Sequence, residues 1–135
     1  MIASTISKQE RTKYIKNIEK HLKAYQSYLV AIKNLESQLT MVSPTSTSNY
    51  FKDIPSKHIL HSDLNLMKTL TNTIEQALQG LSDIERRFVE CRYFKKWSVD
   101  KCALEIGYSD KAIFPIRNQI MDKLLIRFGG IIYIN

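Results

Sequence analysis

Apolar residues recur at alternating spacings of three and four along the N-terminal part of the chain, where neither Gly nor Pro interrupts residues 8–39. This spacing places them on one face of a helix, as in the heptad seam of a coiled coil. The seam consists of Ile15, Ile18, Leu22, Tyr25, Leu29 and Ile32. We therefore predict a long helix over residues 1–40. Its seam either joins two copies of the chain in a homodimer or packs on the following helices of the same chain.

The middle of the chain loses helical periodicity and then regains it. Residues 41–62 are rich in Ser, Thr and Asn and contain Pro44 and Pro55, so they are predicted to be a linker. A packing helix is predicted over residues 63–80, with Gly80 as its C-terminal stop. The apolar face of this helix consists of Leu64, Met67, Leu70, Ile74 and Leu78.

Three helices are predicted in residues 81–130 from their end signals. Ser82 and Glu85 have the spacing of a capping box, which starts the first of them. Ser98 is a cap for the second, Gly107 ends it, and Ser109 is a cap for the third. The inward-facing residues of the first two are predicted to be Ile84, Phe88, Cys91, Val99, Cys102, Ala103 and Ile106.

The order of a short helix, a glycine turn and a capped longer helix is that of a DNA-binding helix-turn-helix, whose second helix enters the major groove. At about 100° per residue, Ile113, Ile116, Ile120 and Leu124 share the core side of the third helix. The opposite side carries two candidate base-reading residues, and a third lies at its edge. They are Lys111 for guanine, Asn118 for adenine and Phe114 for a thymine methyl group.

Basic and hydroxyl side chains near the predicted groove entry are candidates for contacts with the DNA backbone. They are Lys95, Lys96, Ser98, Lys101, Ser109 and Arg117. For any one lysine, ordinary solvation is the alternative interpretation. Arg117 lies near the core side of its helix, where a structural ion pair is the alternative to a phosphate contact. Pro115 lies inside the same helix and removes one backbone hydrogen bond, which favours a kink or a late start.

Residues 81–130 also resemble the promoter-reading C-terminal region, region 4, of sigma-70-type factors. The residues that carry this resemblance are Leu81, Glu85, Arg86, Arg92, Tyr93, Phe94, Ile106, Gly107, Tyr108, Ser109, Ile113, Ile116 and Leu124. The small size, the helical N-terminal half and the single C-terminal module are most similar to RinA/ArpU-type phage regulators. The resemblance implies an all-α protein that activates late phage or prophage genes together with host RNA polymerase. The family's Arg-, Glu- and Gln-rich positions hold Asp110, Lys111, Ala112, Phe114 and Pro115 here, so its sequence preference is not carried over.

Charge and composition narrow the class of partner. The chain has a formal net charge of +7, which favours an anionic partner such as nucleic acid. Residues 8–40 and 81–135 carry the excess, whereas residues 41–80 are balanced. Cys91 and Cys102 lie in apolar patterns, and His58 and His61 have no companion ligands, so we predict no metal and no other cofactor. Neither a signal peptide nor a membrane span is evident, which predicts a cytoplasmic protein without a membrane partner. The resemblance to phage regulators implies that this is the cytoplasm of a bacterial host cell.

The predicted function is therefore sequence-specific binding of double-stranded DNA to regulate transcription. The sequence has neither a set of converging nucleophiles and bases nor a phosphate-binding glycine loop. We therefore do not predict an enzyme. One alternative is that the chain is the small DNA-recognition subunit of a phage terminase. Assembly of the chain into a ring, instead of a dimer, would favour this alternative. The other is an interaction module that binds RNA polymerase or another regulator. Residues 131–135 form an apolar tail, predicted to be a strand or a docked segment.

Overall fold

A computed structural model describes residues 7–41 and 57–129, and every regular element within them is helical. The predicted all-α class is therefore confirmed for this part of the chain. The apolar tail at 131–135 and residues 42–56 of the predicted linker lie outside the described residues. The elements are α1 (Lys8–Met41), α2 (Lys57–Gln79), α3 (Asp83–Val89), a π-helical turn (Glu90–Phe94), α4 (Val99–Ile106) and α5 (Asp110–Phe128).

Helices α1 and α2 form an antiparallel pair, which is the most extensive helix–helix contact in the described residues. Glu36, late in α1, pairs with Lys68, at the middle of α2, with 3.5 Å between Oε2 and Nζ. Tyr25, earlier in α1, lies beside Glu75, later in α2. Because the contacts run in opposite directions along the two helices, α2 returns along α1 and brings α3 back towards the first half of α1.

The first half of the predicted seam lies inside the chain's own core. The side chains of Ile18 and Leu22 have no exposed surface, and Ile15 and Tyr25 pack partly buried against the same cluster. Burying each aliphatic side chain contributes roughly 1.5 to 3 kcal/mol. Of the two interpretations of the seam, packing within the chain describes this half. Leu29, in the second half, is 38% exposed.

Helix α5 crosses the centre of the molecule and contacts every other α-helix. Its core side was predicted correctly at Ile113, Ile120 and Leu124, all of which are fully buried, and Ile116 is half-buried. Opposite them lie buried aromatic side chains of α3 and the π-helical turn, Phe88 and Tyr93, whose rings meet edge to face. The N-terminal helix and the C-terminal helices therefore share one hydrophobic core.

Two predicted details of this fold are wrong. Helix α2 begins at Lys57, so residues 57–62 are helix instead of linker. Pro55 restricts the residue before it and cannot donate a backbone hydrogen bond, but neither property prevents a helix from starting two residues later. Ile84 was predicted to face inward and is 38% exposed, whereas its neighbour Glu85 is buried at 5% exposure.

Candidate nucleic-acid interface

The connection between α4 and α5 has the predicted end signals. The Ser98 side-chain oxygen accepts the Lys101 amide at 3.2 Å and so caps α4. Gly107 ends α4 with φ of 91°, a left-handed conformation that glycine adopts without a steric penalty. The amide of Tyr108 donates to the Ala103 carbonyl at 2.9 Å, which closes the turn. The chain therefore turns within three residues between a short helix and a longer one.

Helix α5 starts at its own serine cap and leaves one face open. The Ser109 side-chain oxygen accepts the Ala112 amide at 3.2 Å. Lys111, Phe114 and Asn118, the three predicted base-reading residues, are all exposed, and they lie three and four residues apart on the outer side of α5. Phe114 is 57% exposed, so its apolar ring is accessible to a partner on this face.

Pro115 lies on this open face, inside a helix that continues from Asp110 to Phe128. In an α-helix the amide of residue 115 would donate to the carbonyl of Lys111, and proline has no N–H to do so. The first turn of α5 therefore lacks one of its internal hydrogen bonds at the candidate base-reading face.

Two of the predicted backbone-contacting lysines are organised by a tryptophan. The Nζ atoms of Lys95 and Lys101 lie 4.6 and 4.1 Å from the centre of the Trp97 ring, so one indole holds two positive charges by cation–π contacts. Arg92 fixes the backbone of Trp97 by donating from Nη1 to its carbonyl oxygen at 2.9 Å. The structure thus brings Lys95, Lys101 and the N-terminus of α4 together.

Arg117 occupies the position that its helical angle suggested, between the core and the open face. Its Nη2 lies 3.2 Å from Oε2 of Glu19 on α1, and its side chain is 32% exposed. The same carboxylate oxygen accepts the Tyr93 hydroxyl at 2.7 Å. The ion-pair alternative therefore describes the contact of Arg117 in this structure, and its contact with a phosphate stays a prediction.

Two of the residues that carry the sigma-factor resemblance, Glu85 and Arg86, make contacts between neighbouring elements of the structure. The Arg86 guanidinium donates to the carbonyls of Leu78 and Leu81, both at 3.4 Å, and so stabilises the turn between α2 and α3. Glu85 completes the predicted capping box by accepting the Ser82 amide at 2.8 Å, and it accepts from Lys123 of α5 at 2.7 Å. These side chains therefore hold the helices together, and none of them lies on the open face of α5.

The pKa of Glu85 reflects that role. Burial acts to raise this pKa, but hydrogen bonds from Lys123 and from Ser82, with the charge of Lys123, outweigh burial and lower it below the ordinary value of 4.5. The ionised form of Glu85 is thus the one that joins the start of α3 to α5.

A basic groove on α1 was missed by the sequence analysis. The side chains of Lys16, Lys20 and Lys23 line it on one face of the helix, and Lys96 completes it from the loop before α4. The i, i+4, i+7 spacing of the three α1 lysines is visible in the sequence. The position of Lys96 beside them depends on how α1 packs against the π-helical turn, which no local pattern records.

Within residues 7–41 and 57–129, no cluster of three or more His, Cys, Asp or Glu side chains is arranged to hold a metal ion. No helix in the same ranges is both long and apolar enough to span a membrane. Cys91 and Cys102 are free thiols buried in the core. Comparison of the chain with models of protein families, with curated proteins and with solved structures finds no match.

Proposed function

We propose that this chain is a sequence-specific DNA-binding transcription regulator in which α4, the glycine turn and α5 act as a helix-turn-helix. The observation that carries the proposal is the open face at the start of α5, where Lys111, Phe114 and Asn118 are exposed directly after the turn. In a helix-turn-helix this part of the second helix reaches base edges in the major groove. A lysine, an amide and an apolar ring match guanine, adenine and a thymine methyl group.

The electrostatics around α4 support the same orientation. Lys95 and Lys101 both lie over the Trp97 ring near the N-terminus of α4, where the helix dipole also favours an anion. In this arrangement α4 crosses the phosphate backbone, and its N-terminus and the two lysines fix the register of α5. Ser98 and Ser109 use their side-chain oxygens as caps, and each hydroxyl can still donate its hydrogen to a phosphate.

The biological setting of the proposal comes from the sigma-factor resemblance. It implies a late-gene activator of a phage or prophage that acts with host RNA polymerase. A homodimer through α1 would use the second half of the seam, since the first half lies in the core, and Leu29 and Val30 are 38% and 58% exposed there. A dimer would bind two half-sites about one helical turn, or a multiple of it, apart.

The test is binding to DNA from upstream and neighbouring intergenic regions of the chain's own gene, compared with random duplexes of equal length. Lys111→Glu is expected to reduce the preference for the specific duplex by at least about tenfold. Lys33→Glu is the matched control, because Lys33 is exposed on α1 outside the α4–α5 segment. Equal and weak binding of the wild type to all duplexes would contradict the proposal.

A second candidate function is the interaction module, and one observation favours it. Leu104 of α4 is 81% exposed, an apolar side chain that DNA backbone contact does not require. If the α4 surface binds RNA polymerase or another regulator, Leu104→Ser removes that binding, and polymerase capture survives Lys111→Glu. If the chain reads DNA directly, Leu104→Ser leaves specific DNA binding within about twofold of wild type.

A further inference from the structure

The basic groove on α1 concentrates positive charge outside the α4–α5 segment. Lys16, Lys20 and Lys23 follow one another at spacings of four and three on the side of α1 that faces away from the core, and Lys96 meets them from the loop. Like charges at this spacing on a helix repel one another and destabilise it slightly. Four lysines around one groove therefore need an explanation beyond folding.

The groove is not neutralised by the part of the chain that the structure describes. Its lining includes one carboxylate, Glu19, whose Oε2 already accepts Tyr93 at 2.7 Å and Arg117 at 3.2 Å. None of the ion pairs formed among residues 7–41 and 57–129 includes Lys16, Lys20, Lys23 or Lys96. The groove consequently offers several ammonium groups to an external anion.

The dimensions of the groove fit a polyanion. From Lys16 to Lys23 the axis of α1 rises about 10 Å, and DNA carries one phosphate per strand about every 3.4 Å along its axis. The three lysines therefore cover about three base-pair steps of a duplex whose axis lies along α1. The remaining lining residues of α1 are the small Ala24 and Ser27, which leave the groove open to a backbone. A helix that binds a lipid surface would instead present large apolar side chains beside its lysines.

The groove adjoins the proposed DNA-reading segment. Glu19, in its lining, is the residue that Arg117 of α5 contacts. Lys96 is the next residue after Lys95 and precedes Trp97, so the loop that places two lysines at the start of α4 also supplies the fourth lysine of the groove. The loop before α4 therefore carries lysines of both the groove and the cluster at the start of α4.

We infer that this groove binds the phosphate backbone of double-stranded DNA flanking the site read by α5, so that α1 is a second DNA-contacting element of the molecule. The inference rests on the proposed function for the position of the DNA. It assigns Lys16, Lys20, Lys23 and Lys96 to sequence-independent contacts, which raise affinity for every duplex and change specificity little.

The experiment measures how DNA affinity depends on salt for the triple variant Lys16→Ala, Lys20→Ala and Lys23→Ala. Each lost phosphate contact lowers the slope of log affinity against log salt concentration by about 0.9, so the triple variant is expected to lose roughly 2 to 3 from the slope. The reduction is expected on a preferred duplex and on a random duplex alike. Alanine favours helix at these exposed positions, so the fold should be retained.

The matched control is the triple variant Lys8→Ala, Lys33→Ala and Lys57→Ala, which removes the same charge from exposed positions outside the groove. A slope reduction equal to that of the groove variant would overturn the inference, because net charge alone would then account for it. So would a groove variant that keeps the wild-type DNA slope but loses binding to vesicles of anionic phospholipid.

Lys96→Gly provides a second variant that does not threaten the fold. Lys96 has φ of 60°, a left-handed conformation that glycine adopts at a lower energetic cost than lysine. The variant is expected to fold at least as well as wild type and to lose about 1 from the salt slope. An unchanged slope in both Lys96→Gly and the α1 triple variant would exclude the groove.

These outcomes separate the inference from the proposed function. If the groove variants lower the slope on every duplex while wild type prefers none, the groove binds DNA and the proposed sequence-specific reading fails. If Lys111→Glu abolishes a clear preference while the groove variants keep the wild-type slope, the proposed function stands and the inference fails.

Discussion

The Tyr93 hydroxyl donates a 2.7 Å hydrogen bond to Oε2 of Glu19, a residue 74 positions earlier in the chain. Tyr93 is fully buried, and it belongs to the π-helical turn that follows α3. Burial raises the pKa of Tyr93, and the neighbouring Glu19 carboxylate raises it further, so the hydroxyl keeps its proton. This bond and the Arg117 ion pair join α1 to both the π-helical turn and α5.

Tyr93→Phe removes the hydroxyl while keeping the ring in the core. Hydrogen bonds to charged groups contribute about 1.5 to 3 kcal/mol, so the free energy of unfolding is expected to fall by about that amount in urea titrations. Tyr108→Phe is the control, since Tyr108 is only partly buried. Equal stability of Tyr93→Phe and wild type would show that the bond to Glu19 does not contribute.

Leu22→Ala tests whether α1 is part of the common core. Leu22 is fully buried, so its truncation is expected to cost about 2 to 5 kcal/mol of unfolding free energy. Val30→Ala, on the same helix but 58% exposed, is expected to change stability by less than about 0.5 kcal/mol. A separate unfolding transition for α1, or a small effect of Leu22→Ala, would contradict the shared core.

Stability is expected to depend on pH through Glu85. Because its folded pKa is lower than its unfolded pKa, near 4.5, ionised Glu85 stabilises the fold at higher pH, and this contribution is lost as pH falls below 4.5 through the folded value. Urea midpoints measured across this acidic range should decrease less steeply in Glu85→Gln, which is already less stable at neutral pH. An unchanged pH profile in that variant would count against the bridge to Lys123.

Two left-handed residues should respond to substitution in opposite directions. Gly107→Ala is expected to destabilise by about 1 to 2 kcal/mol, because φ is 91° there even though no atom lies within 4 Å of the added Cβ. Lys96→Gly is expected to stabilise by up to about 1 kcal/mol, since it relieves the same conformational cost. Thermal unfolding of both variants beside wild type checks the pair, and a destabilising Lys96→Gly would contradict it.

The sequence predicted the helix ends well in the C-terminal part because caps are local. Ser82, Ser98 and Ser109 each cap a helix by accepting an amide three residues ahead, and Gly107 ends α4. All of these contacts lie within a few residues of one another, so the residue types alone indicate them.

The side-chain environments near the π-helical turn could not be predicted in the same way. In this turn the Lys95 amide donates to the Glu90 carbonyl at 2.9 Å, which spans one residue more than an α-helical bond. Because a π-helical turn contains more residues than an α-helical turn, it changes which side chains face the core. A prediction from regular α-helical periodicity does not include this change. The burial of Glu85 depends on Lys123, 38 positions away, which a local pattern also does not contain.

The candidate site likewise has one part that local sequence predicts and another that depends on tertiary contacts. The open face of α5 follows from its helical angles, so the exposure of Lys111 and Asn118 was predictable. The Arg117 contact with Glu19 and the meeting of Lys96 with the α1 lysines are tertiary contacts between distant segments. They depend on how α1 packs against the rest of the chain.

Selection of bound sequences from a pool of randomised duplex DNA tests the central claim most directly. The wild type is expected to enrich a defined motif, and Asn118→Ala is expected to enrich the same motif with one position relaxed, because an amide on the open face of α5 reads one adenine. Failure of the wild-type protein to enrich any motif, in salt that permits binding, would contradict sequence-specific DNA recognition by α5.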